Sequence, residues 1–149
     1  MKPVVEYTSV NYIKRLKSKN KFKAIEELAL VFQGSDVCSS AEELIEALKE
    51  REKIMSTGIG FGIAIPHARL KSVKEMTFAI GISKKGIDFD SIDSNPVHLV
   101  ILVAAGEKQH KEYLKLLSSI MTILKKEKIK DRIIDSADNE EIMSLLKTQ

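Results

Sequence analysis

The stretch VHLVILVAA, Val97 to Ala105, is an apolar run interrupted only by His98. A strand with one face in water alternates apolar and polar residues. A run without that alternation suits a strand covered on both faces, as in a sheet flanked by helices. The neighbouring segments supply the cover. Phe22, Ile25, Leu28, Ala29 and Phe32 recur at helical spacing, which predicts a helix from about Asn20 to Gln33 with Gly34 just past its end. Ser40 and Glu43 stand in capping-box spacing, and Leu44, Ala47 and Leu48 continue as one stripe, which predicts a second helix ending near Arg51 or Glu52. MTFAIGI, Met76 to Ile82, reads as a strand, and GIDFDSIDSNP, Gly86 to Pro96, as irregular chain. From Glu107 onward Leu114, Leu117, Ile120, Met121 and Leu124 mark a helix, and DNEEIMSLL opens another with Asp138 and Glu141 in capping-box spacing. The expected fold class is α/β or α+β, a single-domain mixed β-sheet sandwiched between α-helices.

The 149 residues fit one domain, and no internal repeat or linker divides them. With 44% apolar and 30% charged residues the composition is that of an ordinary globular protein, and no apolar run reaches the ~20 residues of a membrane span. The start, MKPVVEYTSV, lacks the apolar core and small-residue cleavage site of a secretory signal, so a cytoplasmic location is expected. Cys38 is the sole cysteine, which excludes an internal disulfide and the paired-thiol spacing of a zinc site. The net charge of +3 comes from dispersed lysines. Their one cluster, KRLKSKNKFK from Lys14 to Lys23, reads as solvated surface; without aromatic interleaving it does not indicate nucleic acid.

Chemistry concentrates in GIGFGIAIPHAR, Gly58 to Arg69. Gly58, Gly60 and Gly62 share one parity, and Ile59, Phe61, Ile63 and Ile65 the other, the period of a strand with one face stripped of side chains. The apolar parity is expected in the core, and the glycine face as a flat floor open to a partner protein. Pro66 disfavours helix at Ile65, so the chain is expected to reach His67 stiff and extended at a strand end, before a basic loop, ARLKSVKE. An imidazole at the rim offers a neutral nitrogen as base, metal ligand or nucleophile. No G-x-S-x-G elbow is present, and His67, His98 and His110 are too far apart in sequence to form a ligand pattern. His98 alternates with Val100 and Leu102 and reads as a satisfied core histidine. Nucleophilic transfer of a phosphoryl group remains, and it calls for a guanidinium to hold the spread charge; Arg51 and Arg69 are the candidates.

Over REKIMSTGIGFGIAIPHAR, with Arg51, Thr57, Gly58, Pro66 and His67 in place, the chain resembles the type-2 enzyme IIA proteins of the bacterial phosphoenolpyruvate-dependent phosphotransferase system, its fructose, mannitol and nitrogen-regulatory branch. The resemblance extends over nearly the whole chain, so residues 1–149 are expected to be one such domain. It implies a mixed sheet with helices on both sides, and a His67 that accepts a phosphoryl group from HPr on Nε2 and gives it to an enzyme IIB. Arg51 would steady the group. The alternative within the same family is a nitrogen-type regulator whose phosphorylation state decides which protein it binds. The implied binding residues are Thr57, Gly58, Gly60, Arg69 and Tyr113, with no metal and no cofactor; Thr57 would bond a phosphoryl oxygen or cap the turn after the second helix. An enzyme IIB and a permease would be separate polypeptides, with no membrane insertion by this chain. One departure stands out: Tyr113 occupies the position at which many members carry a second active-site histidine. His110 lies three residues earlier on the same helical face; either Tyr113 or His110 could approach His67, and His110 is the favoured one.

Overall fold

A computed structural model describes residues 2–147. After two 3-10 turns, Val4–Tyr7 and Val10–Tyr12, come β1 (Ile13–Arg15), α1 (Lys21–Ala29) and α2 (Ala41–Ile54). Three short strands follow, β2 (Gly58–Gly60), β3 (Ile63–Ala64) and β4 (His67–Leu70), then two long ones, β5 (Thr77–Ile87) and β6 (Val97–Gly106). The chain ends in α3 (His110–Leu124), α4 (Glu127–Asp135) and α5 (Asn139–Lys147).

The six strands form one mixed sheet in the order β1-β5-β6-β3-β2, with β4 also on β6. β5 and β6 are antiparallel, β1 runs parallel to β5, and β3 and β4 lie end to end parallel to β6. Both faces of β6 are covered, as its composition demands. Leu99, Ile101 and Val103 face one way, into a core with Tyr113, Leu116 and Ile120 of α3, Ile133 of α4 and Ile142 of α5. Val100, Leu102 and Ala104 face the other, against Ile25 and Leu28 of α1 and Leu44 and Leu48 of α2. Full burial of each such aliphatic chain contributes about 1.5–3 kcal/mol, so the central strand is the anchor of both layers.

The caps work as the sequence suggests. Asn20 accepts hydrogen bonds from the Phe22 and Lys23 amides, and Ser40 from the Glu43 amide, each worth about 1 kcal/mol. α1 is shorter than expected because its last turn tightens into a 3-10 segment, Leu30–Phe32, ahead of Gly34 at φ 76°. α2 runs to Ile54, past Arg51, and β5 runs to Ile87.

Four expectations are corrected. The glycine stretch is a hairpin, with β2 and β3 antiparallel about the turn at Phe61 and Gly62, rather than one strand. Phe61 therefore projects outward, 71% exposed and at φ 58°, instead of entering the core. The basic stretch after His67 is not irregular from its start: His67 to Leu70 form strand β4, paired with Val103 to Gly106, and the chain leaves the sheet from Lys71. At the C-terminus there are three helices rather than two, with Ile129 and Ile133 burying α4, and in α3 Leu114 points outward while Tyr113 and Leu116 point in.

Candidate active site

The position of His67 follows from a step in the sheet. β3 pairs with β6 at Leu99 and Val100, and β4 rejoins it at Val103. Between them Ile65 donates its amide to the Thr57 carbonyl at 3.0 Å, and the Pro66 carbonyl accepts from the Val103 amide at 2.9 Å. Proline lacks an amide hydrogen, so the offset costs no donor there. The His67 ring, half-buried, turns back so that Nδ1 lies 3.0 Å from the Ile65 carbonyl. A nitrogen bonding a carbonyl must carry the proton, which leaves the lone pair on Nε2.

Around this ring lies a cleft of about 430 Å³ lined by Arg51, His67, Arg69, Glu107, His110 and Tyr113. Arg51 comes from the last turn of α2, where its Nη1 donates to the Met55 carbonyl at 2.8 Å. That bond satisfies a carbonyl at the helix end and fixes the guanidinium stem. Arg69 is two residues beyond His67 on β4 and so shares its face. Tyr113 and His110 come from the first turn of α3.

Tyr113, not His110, is the close aromatic neighbour. Its ring centroid lies 5.1 Å from that of His67, while the His110 ring lies 6.4 Å from that of Tyr113, tilted by 34°. Tyr113 is 5% exposed, and burial pushes its phenol up to about 12 against the pull of Arg51 and Arg69. The phenol keeps its proton across the physiological range and so can donate a hydrogen bond into the cleft. The His67 imidazole is held below its ordinary value chiefly by burial, with the Arg51 and Arg69 charges adding to the effect; the Ile65 carbonyl and the Glu52 carboxylate oppose it. A neutral ring near neutral pH with a free nitrogen is the form a nucleophile needs.

Thr57, Gly58 and Gly60 do not line the cleft. Thr57 is buried; its amide and hydroxyl donate to the Glu52 carboxylate at 2.8 and 2.6 Å, so it caps the turn after α2. A side chain at Gly58 would collide with Ser91, its Cβ lying 2.3 Å from Oγ and 3.1 Å from Cα. The glycine face thus meets the protein's own 88–96 loop, not a partner. Phe61 and Ile92 donate their amides to Asp93 and Gly58 across the same seam.

Glu52 had no expected role, although the signal was present. It follows Leu44 and Leu48 at intervals of four, a carboxylate on the buried stripe of a helix, and such a group must have partners. It is 2% exposed and also faces Lys21 Nζ at 3.6 Å. Glu107 was likewise not anticipated. His98 is satisfied by the Ser83 carbonyl at 2.8 Å and plays no part in the cleft. Among the described residues no three histidine, cysteine or acidic side chains gather as metal ligands, and no helix is long and apolar enough to cross a membrane.

A mixed sheet between two helical layers carries a surface cleft lined by a histidine and two arginines, side chains of the kind that phosphoryl transfer uses. Residues 6–149 match the family described as phosphoenolpyruvate-dependent sugar phosphotransferase system, EIIA 2, and the chain belongs to it. Among its relatives is the PTS system fructose-specific EIIABC component of Bacillus subtilis, 36% identical over 131 residues; the match covers 88% of this chain but only 21% of that protein. The crystal structure of nitrogen regulatory protein IIA-Ntr from Neisseria meningitidis superposes with a TM-score of 0.88 at 28% identity, covering 96% of this chain and 98% of that one. The fold is also that of enzyme IIA mannitol from Escherichia coli in its complex with phosphorylated enzyme IIB, at a TM-score of 0.81 and 21% identity, covering 95% and 97% of the two chains.

Proposed function

We propose that this chain is a phosphocarrier: Nε2 of His67 accepts a phosphoryl group from phosphorylated HPr and passes it to an enzyme IIB component. The observation that carries this reading is the ring held by the Ile65 carbonyl at 3.0 Å, with its free nitrogen in a cleft bearing Arg51 and Arg69. In the forward step the Nε2 lone pair forms the new N–P bond as the donor's N–P bond breaks, and the donor imidazole leaves with its electron pair. The ring, now carrying both the phosphoryl group and the Nδ1 proton, gains positive charge that the Ile65 carbonyl stabilises. The guanidiniums hold the equatorial oxygens, and the Tyr113 phenol adds a neutral donor. The second step reverses these roles toward enzyme IIB. Exposed Ile54 and Met55, three and four residues after Arg51, offer an apolar surface to a protein partner.

A second reading within the family is regulatory, with the phosphorylation state of His67 selecting the protein that docks on the cleft. Tyr113 in place of a second histidine favours it, as does the similarity to IIA-Ntr. The carrier chemistry is common to both.

The test is to incubate the protein with enzyme I, HPr and phosphoenolpyruvate and to follow its mass. An acid-labile phosphoryl adduct absent from His67→Ala, kept in His110→Ala and formed more slowly in Tyr113→Phe is expected. An adduct that survives in His67→Ala, or none on the wild type, would sink the proposal. Transfer onward to an enzyme IIB then separates the carrier from the regulator.

A further inference from the structure

The basic segment Lys14 to Lys23 does not simply face solvent. The loop from β1 to α1 folds against the far end of β5, and together they line a second cleft of about 400 Å³. Five cations border it: Arg15, Lys17 and Lys19 from the first element, Lys84 and Lys85 from a segment more than sixty residues away in sequence. Among the described residues no acidic side chain lines it. Its apolar surface is supplied by Leu16, which is half-buried, while the Ile82 side chain behind it belongs to the core.

Both walls are fixed by internal bonds. A single carboxylate, Glu27, organises the loop from behind, accepting from the Lys17 and Ser18 amides at 3.0–3.1 Å and from the Ser18 hydroxyl at 2.7 Å. Arg15 is tied to the Ser136 carbonyl at 2.8 Å and to the Asn139 side chain. On the other wall the pairing of β5 with β6 slips between Ile82 and Ile87. There the Gly86 amide donates to Ser83 Oγ at 3.1 Å, and Gly86 takes φ 88°. An irregularity of this kind re-aims side chains at the end of a strand. Lys84 and Lys85 sit within it.

Among the described residues, none of Lys17, Lys19, Lys84 and Lys85 forms an ion pair with a carboxylate. Bringing unpaired like charges together is unfavourable unless a counter-charge binds among them. The volume suits a small molecule rather than a lone ion, and cations on two walls suit more than one anionic oxygen. The site is also remote from the first. β5 meets β6 here at Val97, and His67 pairs with Val103, six positions or roughly 20 Å along the strand.

We propose that this cleft binds a phosphorylated organic molecule of nucleotide size, its phosphates held by Lys17, Lys19, Lys84, Lys85 and Arg15 and its apolar part resting on Leu16. ADP is a suitable probe, with pyrophosphate and adenosine as its two halves. Titrations followed by calorimetry and by backbone amide shifts should show saturable ADP binding below about 1 mM, with pyrophosphate and adenosine each weaker by about tenfold or more. The shifted amides should be those of Arg15–Lys19 and Ser83–Gly86. The double variant Lys84→Gln/Lys85→Gln, folded as judged by an unchanged amide spectrum elsewhere, should bind ADP about tenfold more weakly. Four results would overturn the proposal: no saturation by about 5 mM ADP, pyrophosphate binding as tightly as ADP, shifts centred on Arg51 and Arg69, or unchanged affinity in the variant. The second would reduce the cleft to a patch of charge, and the third would mean that the phosphoryl-transfer cleft had captured the probe.

Discussion

The string Gly58 to Arg69 contains two halves of different character. The first, Gly58 to Gly62, is a hairpin packed against the 88–96 loop and held from beneath by Glu52 and Thr57. The second, Pro66 to Arg69, leads into strand β4, whose inner side is locked to β6 while His67 and Arg69 stand over an open cleft. Glycine is needed in the first because Ser91 leaves no room for a Cβ at position 58. Proline suits the second because the chain steps along β6 with no amide to satisfy. Residues that travel together in sequence are therefore not one site; half of the string shapes the platform and half lines the cleft in which the chemistry is proposed.

Variants can break or sharpen that division. Glu52→Ala removes the carboxylate from two buried donors of Thr57 and from Lys21, and should lower stability by about 3 kcal/mol in urea titration. An unchanged midpoint would show that the hairpin half is anchored elsewhere. Arg51→Gln should do the reverse, slowing phosphoryl acceptance about 100-fold while shifting stability by less than about 0.5 kcal/mol. A large loss of stability there would merge the two halves into one structural unit. Gly58→Ala forces a methyl group onto Ser91 and should cost about 2 kcal/mol, with the His67 ring resonances in place.

The smallest effect is a pH dependence. Burial, with Arg51 and Arg69, holds the folded His67 below its ordinary value of 6.5, so the unfolded chain takes up the proton first. The resulting contribution to stability is fully present above about 6.5 and is lost as pH falls through the folded value. Relative to His67→Gln, the wild type should lose stability between about pH 7 and pH 5. A flat difference would mean that the ring is as solvated in the cleft as in the unfolded chain.

Much of the scaffold was legible in the residues. The apolar run of β6 implied cover on both faces, and the caps at Asn20 and Ser40 mark the starts of α1 and α2. The short strands were not legible, because three residues at Ile13–Arg15 or four at His67–Leu70 become strand only through partners on β5 and β6. Phe61 belonged to an alternating pattern, yet the turn placed it in solvent. α4 had a readable stripe in Ile129 and Ile133, but it is only nine residues long and rests on packing.

By itself the sequence determined the layered class and the helix starts, and it singled out the histidine and arginine for which phosphoryl chemistry is proposed. Periodicity and capping act over a few residues, and the reactivity of imidazole and guanidinium is intrinsic. Only the tertiary structure decided that Tyr113 rather than His110 lies against His67, that Thr57 serves Glu52, and that lysines from two distant segments share a cleft. Each of these depends on the register and packing of elements far apart in the chain, and burial, pKa shift and convergence of charge exist only once those elements meet.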